Sequence, residues 1–514
     1  MTTVSEAVAA NARDRPDRPA FIDDDGVTTW AEYDRRATDV GAVLVGGGLE
    51  RGERVAVLLP DGGTIHAVFV GAERAGLVVA GIGPRAGRRE IEHLVTKTGA
   101  SALVSLAVHR EHDMVALVAE LQAAGLPLRR HIVLTTDGAI PAPRADTAAL
   151  ADRALGPDEL FLLNSTSGTT GLPKCVMHTQ NRWVYFHQLA VEAGELSPDD
   201  TFLSAIPAPF GFGIWTAHVT PALLGAPTVV TNHFTAEQTI ELIERERVTV
   251  LAAVSTQFIM MLASPAMGRH DLSSLRAMFT GGEAVPYERA ARFEEETGAR
   301  VLQFYGSNET GALSRTSMTD TREKRLRTAG RVIAGMEVRL FDRDGNDVTG
   351  SGGPGQPGCR GPATCIGYYD DPEANAKLVR PDGWMLTGDI ATIDADGYLS
   401  VIGRTSDIII RGGKNISAPA VEEAVLTHPD VRMAAAVAMP SEVFGERVCL
   451  YAVVAPGSTL TLDDLCAHLD ADGIGKDMWP ERLVVVDTLP MASGGKVAKG
   501  ELRDDIRRRL LEEG

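Results

Sequence analysis

The segment from Leu160 to Lys174 concentrates groups that bind anions. The apolar run Leu160–Leu163 predicts a buried strand. It empties into Thr166, Ser167, Thr169 and Thr170, which offer hydroxyl donors, and Gly168 and Gly171, which let the backbone turn tightly and approach a ligand. Exposed N–H groups in such a loop form a concavity for anions, and Lys174 adds a cation. Donors plus one positive charge suit the phosphates of a nucleotide. The spacing is not that of the Walker loop, GxxxxGK[ST]. Gly168, Gly171 and Lys174 stand three apart and Cys175 follows the lysine, so a Walker-type kinase or ATPase is disfavoured.

Two further stretches offer ligand surface. Pro207–Trp215 carries Phe210, Phe212 and Trp215 on a segment that prolines and glycines predict to be irregular, and aromatics placed so can wall a pocket. The strand predicted over Arg276–Thr280 opens into Gly281, Gly282 and Glu283 before a helix, leaving flat backbone for a planar ring.

The elements that must position these groups alternate in type. Helical spacing marks Ala31–Val45, Thr64–Ala75 and Glu237–Glu246. Short apolar runs mark strands at Val55–Leu59, Leu77–Ile82, Ala102–Val104, Phe202–Ile206, Ala226–Val230 and Val248–Val254. Strands separated by helices predict α/β layering around parallel sheets. From Thr328 the pattern turns β-rich, with hairpin turns at Asp342–Asn346 and Asp394–Gly397. The last part has its own αβ pattern: helices at Val421–Leu426 and Leu462–Leu469, strands at Ala434–Val437, Cys449–Val454 and Leu483–Val486.

At 514 residues the chain exceeds one core and predicts two or more domains. A formal net charge of −19 argues against nucleic acid and anionic membrane as unaided partners. The N-terminus lacks the pattern of a secretory signal, and no apolar run is long enough to span a membrane. Cys175, Cys359, Cys365, Cys449 and Cys466 form neither a CxxC pair nor a disulfide framework, which predicts free thiols and a cytoplasmic location. His93, His109 and His112 share no metal-ligand spacing and read as solvated or core residues.

The order TSGTTGLPK from Thr166 to Lys174 resembles the phosphate loop of the acyl-adenylate-forming (AMP-binding) superfamily, which includes acyl- and aryl-CoA synthetases, stand-alone adenylation enzymes and firefly-type luciferases. Later motifs follow in family order. Tyr305, Gly306, Ser307, Asn308 and Glu309 resemble its Tyr-Gly-x-Thr/Ser-Glu motif. The resemblance implies that Tyr305 stacks on adenine, the residue at 308 touches phosphate, and Glu309, with Thr170, holds Mg²⁺. Asn308 departs from the usual hydroxyl, although its amide keeps donors. The resemblance further assigns Gly281, Gly282 and Glu283 to the nucleotide, Asp389 to the ribose hydroxyls and Arg404 to the nucleotide. It assigns Phe210, Gly211, Phe212, Gly281 and Gly306 to the acid pocket. Amino-acid-activating relatives carry Asp where this chain has Gly211, so an α-amino acid substrate is not expected, because its buried amine would lack a partner.

Lys496, in Gly494-Gly495-Lys496-Val497, resembles the mobile catalytic lysine. The hinge position falls at Ser406, where the family has Asp or Lys, with Asp407 beside it. The implied fold is a large N-terminal α/β domain, 1–405, with layered sheets and a β-barrel portion, plus a small C-terminal α+β lid, 406–514. The implied chemistry is activation of an aryl or cyclic/medium acyl acid by ATP to an acyl-adenylate, with release of pyrophosphate. Lys174, Lys496 and Mg²⁺ near Glu309 would offset the gathered negative charge. Transfer to the thiol of CoA would follow through a tunnel at Gly412 and Gly413. The alternative acceptor is a phosphopantetheinyl carrier protein in natural-product biosynthesis, expected to be a separate chain because residues up to Gly514 include no carrier domain. The chain is expected to be a monomer or homodimer.

Overall fold

A computed structural model of the chain describes residues 2–135, 139, 146–165, 173–282, 285–404, 407–411, 414–441, 443–491 and 497–513. Among these, the predicted apolar runs assemble into two large sheets. One orders its strands Arg331–Val332, Gly311–Arg315, Arg300–Ser307, Ala277–Gly281, Val250–Ala252, Phe202–Ser204, Thr228–Val230, Pro19–Asp23 and Gly26–Thr29. The other orders Gly367–Tyr368, Cys175–Thr179, Leu160–Ser165, Val78–Gly81, Arg54–Leu58, Ala102–Leu106 and Arg130–Leu134. Their central strands are parallel, and sheet edges add antiparallel pairs.

Period-two alternation along the strands sorts the core into layers. Phe202, Val250, Ala277, Phe279 and Leu302 face the layer between the sheets, where they meet Val55, Val57 and Leu162 and helices Trp30–Gly46 and Gly63–Arg74. The intervening Leu203, Leu251, Met278 and Val301 face the opposite way, onto helices Ala236–Arg245, Ser255–Ala263 and Tyr287–Thr297. Ala56, Leu58, Ala80 and Leu103 likewise cover Arg88–Thr98 and Met114–Ala123 on the outer face of the second sheet. Strands buried on both faces explain why they read as continuous apolar runs.

In the β-rich portion the bridge Gly355↔Ala391 joins the sheets Glu337–Phe341/Gln356–Arg360/Met385–Leu386 and Asp389–Ile393/Leu399–Arg404, and Arg331↔Tyr398 ties the latter to the edge of the first large sheet. One local expectation changes here. The Asp342–Asn346 turn closes a single bridge, Phe341↔Asp347, whereas the ladder of Glu337–Phe341 runs to Gln356–Arg360. The carboxylate of Asp342 accepts from the main chain of Asp344 and Asn346, so the turn is satisfied locally without a full hairpin.

The small C-terminal domain wraps a sheet of Lys414–Ser417, Ile408–Arg411, Gly445–Val454 and Val431–Ser441, with Arg482–Val485 parallel to Gly445–Val454. Ala436, Val448, Leu450 and Ala452 pack against helices Ala418–Val425 and Leu462–Ala471. Ala435, Val437, Cys449 and Tyr451 pack against Lys499–Glu513. No described helix is long and apolar enough to cross a membrane.

Candidate active site

The parallel strands Ala277–Gly281 and Arg300–Ser307 end on the same edge, the place where open α/β sheets receive ligands. A cavity of about 1460 Å³ lies there, between the large domain and the small one. It is larger than the 300–1,000 Å³ of a typical small-molecule pocket, so it has room for two substrates.

Its polar wall is prepaired. The hydroxyl of Tyr305 donates to Asp389 Oδ2 at 2.7 Å, and Arg404 Nε lies 3.3 Å from Asp389 Oδ1. The main-chain N–H of Asp389 donates to Thr387 Oγ1 at 3.1 Å. Burial, and then the negative charge of Asp389, push the Tyr305 hydroxyl well above the ordinary phenol range, so it stays a donor. The motif fixes its own backbone as well. A Cβ on Gly306 would run into the carbonyl of Gly311 on the neighbouring strand, and one on Gly281 into the carbonyl of Phe304. Gly282 has φ +82°, which excludes most side chains on conformational grounds.

Glu309 turns toward a different wall. Its Oε1 accepts from the hydroxyl of Tyr368 at 2.8 Å, and Lys174 Nζ stands 4.8 Å from the centre of the same ring. Tyr368 therefore links two residues that the sequence pattern selected separately. Burial first, and Glu309 second, raise the Tyr368 hydroxyl above its usual range, which keeps the proton on the phenol. Behind it, the buried Arg182 donates to the carbonyls of Ala363 and Glu309 and contacts His178 Nδ1. Burial lowers Arg182 to about 10 and holds His178 well below its ordinary value, so His178 is neutral beside a charged guanidinium. His93 Nε2 lies 2.9 Å from the carbonyl of Pro173, just before Lys174, so a residue read as solvated or core steadies the end of the phosphate-loop segment.

The other wall is aromatic. Trp183, Phe186, Phe210, Phe212, Trp215 and Phe304 line it, with Trp215 edge-on to Phe186 and Phe212 at 5.1 and 5.2 Å between centroids. Phe210 packs with Ile206, Val254 and Phe212, and its ring lies against Gly83. The segment is more regular than its composition predicts: Gly211–Gly213 is a helical turn continuing into the wide turn Ile214–Val219 and then Thr220–Leu224. The glycines serve close packing here. A Cβ on Gly213 would meet the backbone of Ile206 and Pro207.

Of the residues chosen from sequence, Phe210, Gly211, Phe212, Gly281, Gly282, Tyr305, Gly306, Asn308, Glu309, Asp389 and Arg404 all line this cavity. Lys174 lies beside it through Tyr368. Thr166, Ser167, Gly168, Thr169, Thr170, Gly171, Glu283, Ser406, Gly412, Gly413 and Lys496 lie outside the described residues. Met491 and Val497, on either side of the segment that includes Lys496, line the cavity. Tyr368 and Arg182 were not singled out from sequence. A lone Tyr in a short strand and an Arg within a helix carry no local signal; their roles depend on which distant residues they meet.

An aromatic wall and a polar wall meeting in one cavity, beside a small C-terminal domain, is the arrangement expected of an acyl-adenylate-forming enzyme. The chain belongs to the AMP-binding enzyme family: residues 8–369 match the AMP-binding enzyme model and 420–496 the AMP-binding enzyme C-terminal domain. It is 32% identical over 515 residues to the medium-chain fatty-acid–CoA ligase of Escherichia coli (strain K12), covering 98% of this chain and 90% of that one. It is 32% identical over 519 residues to a salicyl-AMP ligase / salicyl-S-ArCP synthetase of Mycobacterium tuberculosis (strain ATCC 25618 / H37Rv), covering 97% of this chain and 89% of that one. Among solved structures it resembles the amide bond synthetase McbA from Marinactinospora thermotolerans, with TM-score 0.82, 29% identity, and coverage of 98% and 99% of the two chains. As an AMP-forming acid–thiol ligase, the chain activates a carboxylic acid with ATP and passes the acyl group to a thiol.

Proposed function

We propose that the acid is an aryl or cyclic/medium acyl acid with an uncharged tail, that CoA is the thiol, and that the polar and aromatic walls divide the work between nucleotide and acid. The observation that carries this reading is their meeting in one cavity, with Tyr305, Asp389 and Arg404 on one side and Phe210, Phe212 and Trp215 on the other. Asp389 would accept from the ribose, Tyr305 and the Gly281–Gly282 backbone would bracket adenine, and Lys174 would hold the outer phosphates. Lys496 would neutralise the attacking carboxylate and the α-phosphate as pyrophosphate leaves.

The donor set suits Mg²⁺. Glu309 offers a hard carboxylate oxygen held in place by Tyr368, and such a cation is usually bound by one or two carboxylates together with substrate phosphates. Mg²⁺ would add charge neutralisation at the phosphates; Glu309, with Thr170, would hold it. The Gly412–Gly413 segment would admit the pantetheine arm of CoA after the small domain turns at Ser406, with Asp407 beside it. We take 1–405 and 406–514 as the two bodies. Asp407, beside Ser406, is held within the small domain, its Oδ1 lying 3.1 Å from Arg503 Nη1 on the last helix. A supply of ATP and CoA, and buried free thiols at Cys175, Cys359, Cys365 and Cys449, suit the cytoplasm.

Acid-dependent ATP–pyrophosphate exchange across benzoate-like, cyclic, medium-chain and α-amino acids, repeated with CoA and with a holo carrier protein, tests the reading. Ring or alkyl acids should exchange, α-amino acids should not, and CoA should yield a thioester and AMP. A clear preference for an α-amino acid overturns the pocket assignment, and thioester formation on the carrier protein alone overturns CoA as acceptor.

A further inference from the structure

Asn308 stands where the family usually has a hydroxyl residue and Gly211 where amino-acid-activating relatives carry Asp, and the fold brings them together. A Cβ built on Gly211 would overlap the side-chain oxygen of Asn308, and it would stand 3.4 Å from Trp183 Cη2. The amide of Asn308 thus fills the space that a side chain at 211 would need, and the sequence neighbours Phe210 and Phe212 line the same cavity. The next residue points elsewhere, since Glu309 is bound to Tyr368. One turn therefore sends its amide to the acid wall and its carboxylate to the phosphate side.

Trp183, Phe186, Phe210, Phe212, Trp215 and Phe304 line the same cavity as Asn308, and Trp183 is the ring next to Gly211. Asn308 is half-buried, and among the described residues its amide makes no hydrogen bond to protein. An amide offers two donors and an acceptor. Covering it with an apolar ring leaves those groups unsatisfied, which costs more than the bond itself is worth in water. A site with a buried polar group discriminates strongly against a substrate that lacks the matching group.

We propose that Asn308, seated over Gly211, is a specificity-determining residue that selects ring acids carrying a neutral hydrogen-bonding substituent, a hydroxyl or oxo group, over the unsubstituted parent acid. This rests on the adenylation reading above. Gly211 is the other half of the device: any side chain there displaces the amide. The far end of an asparagine can swing aside, so Gly211→Ala should move Asn308 and leave the fold in place.

The test is kcat/KM for pyrophosphate release with matched acids: benzoate against its 2-, 3- and 4-hydroxy derivatives, and cyclohexanecarboxylate against its hydroxy and oxo derivatives. Each is measured in the wild type, Asn308→Leu and Gly211→Ala, with KM for ATP recorded in parallel. The best substituted acid should exceed its parent by about 10–100-fold in the wild type, the penalty of an unsatisfied buried group. Asn308→Leu should bring that ratio close to one, and Gly211→Ala should lower it in part. Because the ratio is taken within one variant, a loss common to all acids cancels. A wild-type ratio near one overturns the inference while leaving adenylation intact, and needs no variant to fold. A raised KM for ATP in Asn308→Leu with the acid ratio unchanged also overturns it, and returns residue 308 to phosphate binding. No exchange with any acid in the wild type overturns the adenylation reading and this inference with it.

Discussion

The two walls of the cavity solve opposite problems. On the polar side, groups that line or adjoin the cavity already have protein partners: Tyr305 with Asp389, Asp389 with Arg404, Tyr368 with Glu309. On the aromatic side the rings pack against one another, and the amide of Asn308 lies against Gly211. Prepaired groups keep their orientation and suit a ligand that is the same in every turnover. An apolar wall with a single polar group suits selection among acids that share a carboxylate and differ in their tails. Electrostatic preorganisation is where such enzymes gain most of their rate, so the walls should respond differently to mutation.

The largest effect is expected from removing charge at the phosphates. Lys174→Ala and Lys496→Ala should each lower acid-dependent exchange by ~10²–10³, the cost of one preorganised donor. Lys496→Ala should spare transfer of a supplied acyl-adenylate to CoA, whereas Gly413→Leu should block that transfer and leave pyrophosphate release. Single-turnover assays of each half-reaction check this, and equal damage to both halves in both variants would falsify the alternation of the small domain.

A smaller loss should follow from Asp389→Ala, which leaves Tyr305 and Arg404 without their shared acceptor. Hydrogen bonds to charged groups are worth about 1.5–3 kcal/mol, so kcat/KM for ATP should fall by roughly 10–100-fold. The preference among acids should hardly move. A changed acid preference in this variant would mean that the walls are not separate.

Tyr368→Phe deletes one hydroxyl and keeps the ring beside Lys174. Losing this bond to a carboxylate, worth about 1.5 kcal/mol at the low end for a charged acceptor, should lower the rate about 10-fold and raise the Mg²⁺ concentration needed for half-maximal activity. An unchanged Mg²⁺ requirement would reduce Tyr368 to a packing residue.

The smallest effect is expected at the seam between the domains. Arg289 donates to the carbonyls of Leu426 and Val431 across it, at 3.2 and 3.1 Å. Arg289→Ala should weaken this docking by about 1 kcal/mol and shift the ratio of the two half-reaction rates a few-fold, with acid preference intact. Fluorescence energy transfer between labels on the two domains would report the same shift directly; no change in either readout would remove Arg289 from the docking contact.

What was legible in the sequence was local. Apolar runs gave the buried strands within one or two residues at Leu160–Ser165, Arg54–Leu58 and Ala277–Gly281, because a strand buried on both faces has to be apolar throughout. Motifs whose chemistry lies in adjacent residues, such as Tyr305 to Glu309, were readable for the same reason. The segment after Pro207 was misread as irregular, since composition cannot show that a glycine serves close backbone packing, as Gly213 does against Ile206 and Pro207.

The sequence by itself determined which residue types were present and which short segments would be strands, helices or anion-binding turns. Tertiary structure alone decided which of them meet. Tyr368 reaches Glu309, Arg182 reaches the same turn from behind, and Asn308 reaches Gly211, each across a long stretch of chain. Parallel strands joined by crossover helices put neighbours in space far apart in sequence. Such pairings depend on sheet order and on the packing of the layers between the sheets, and no local pattern encodes either.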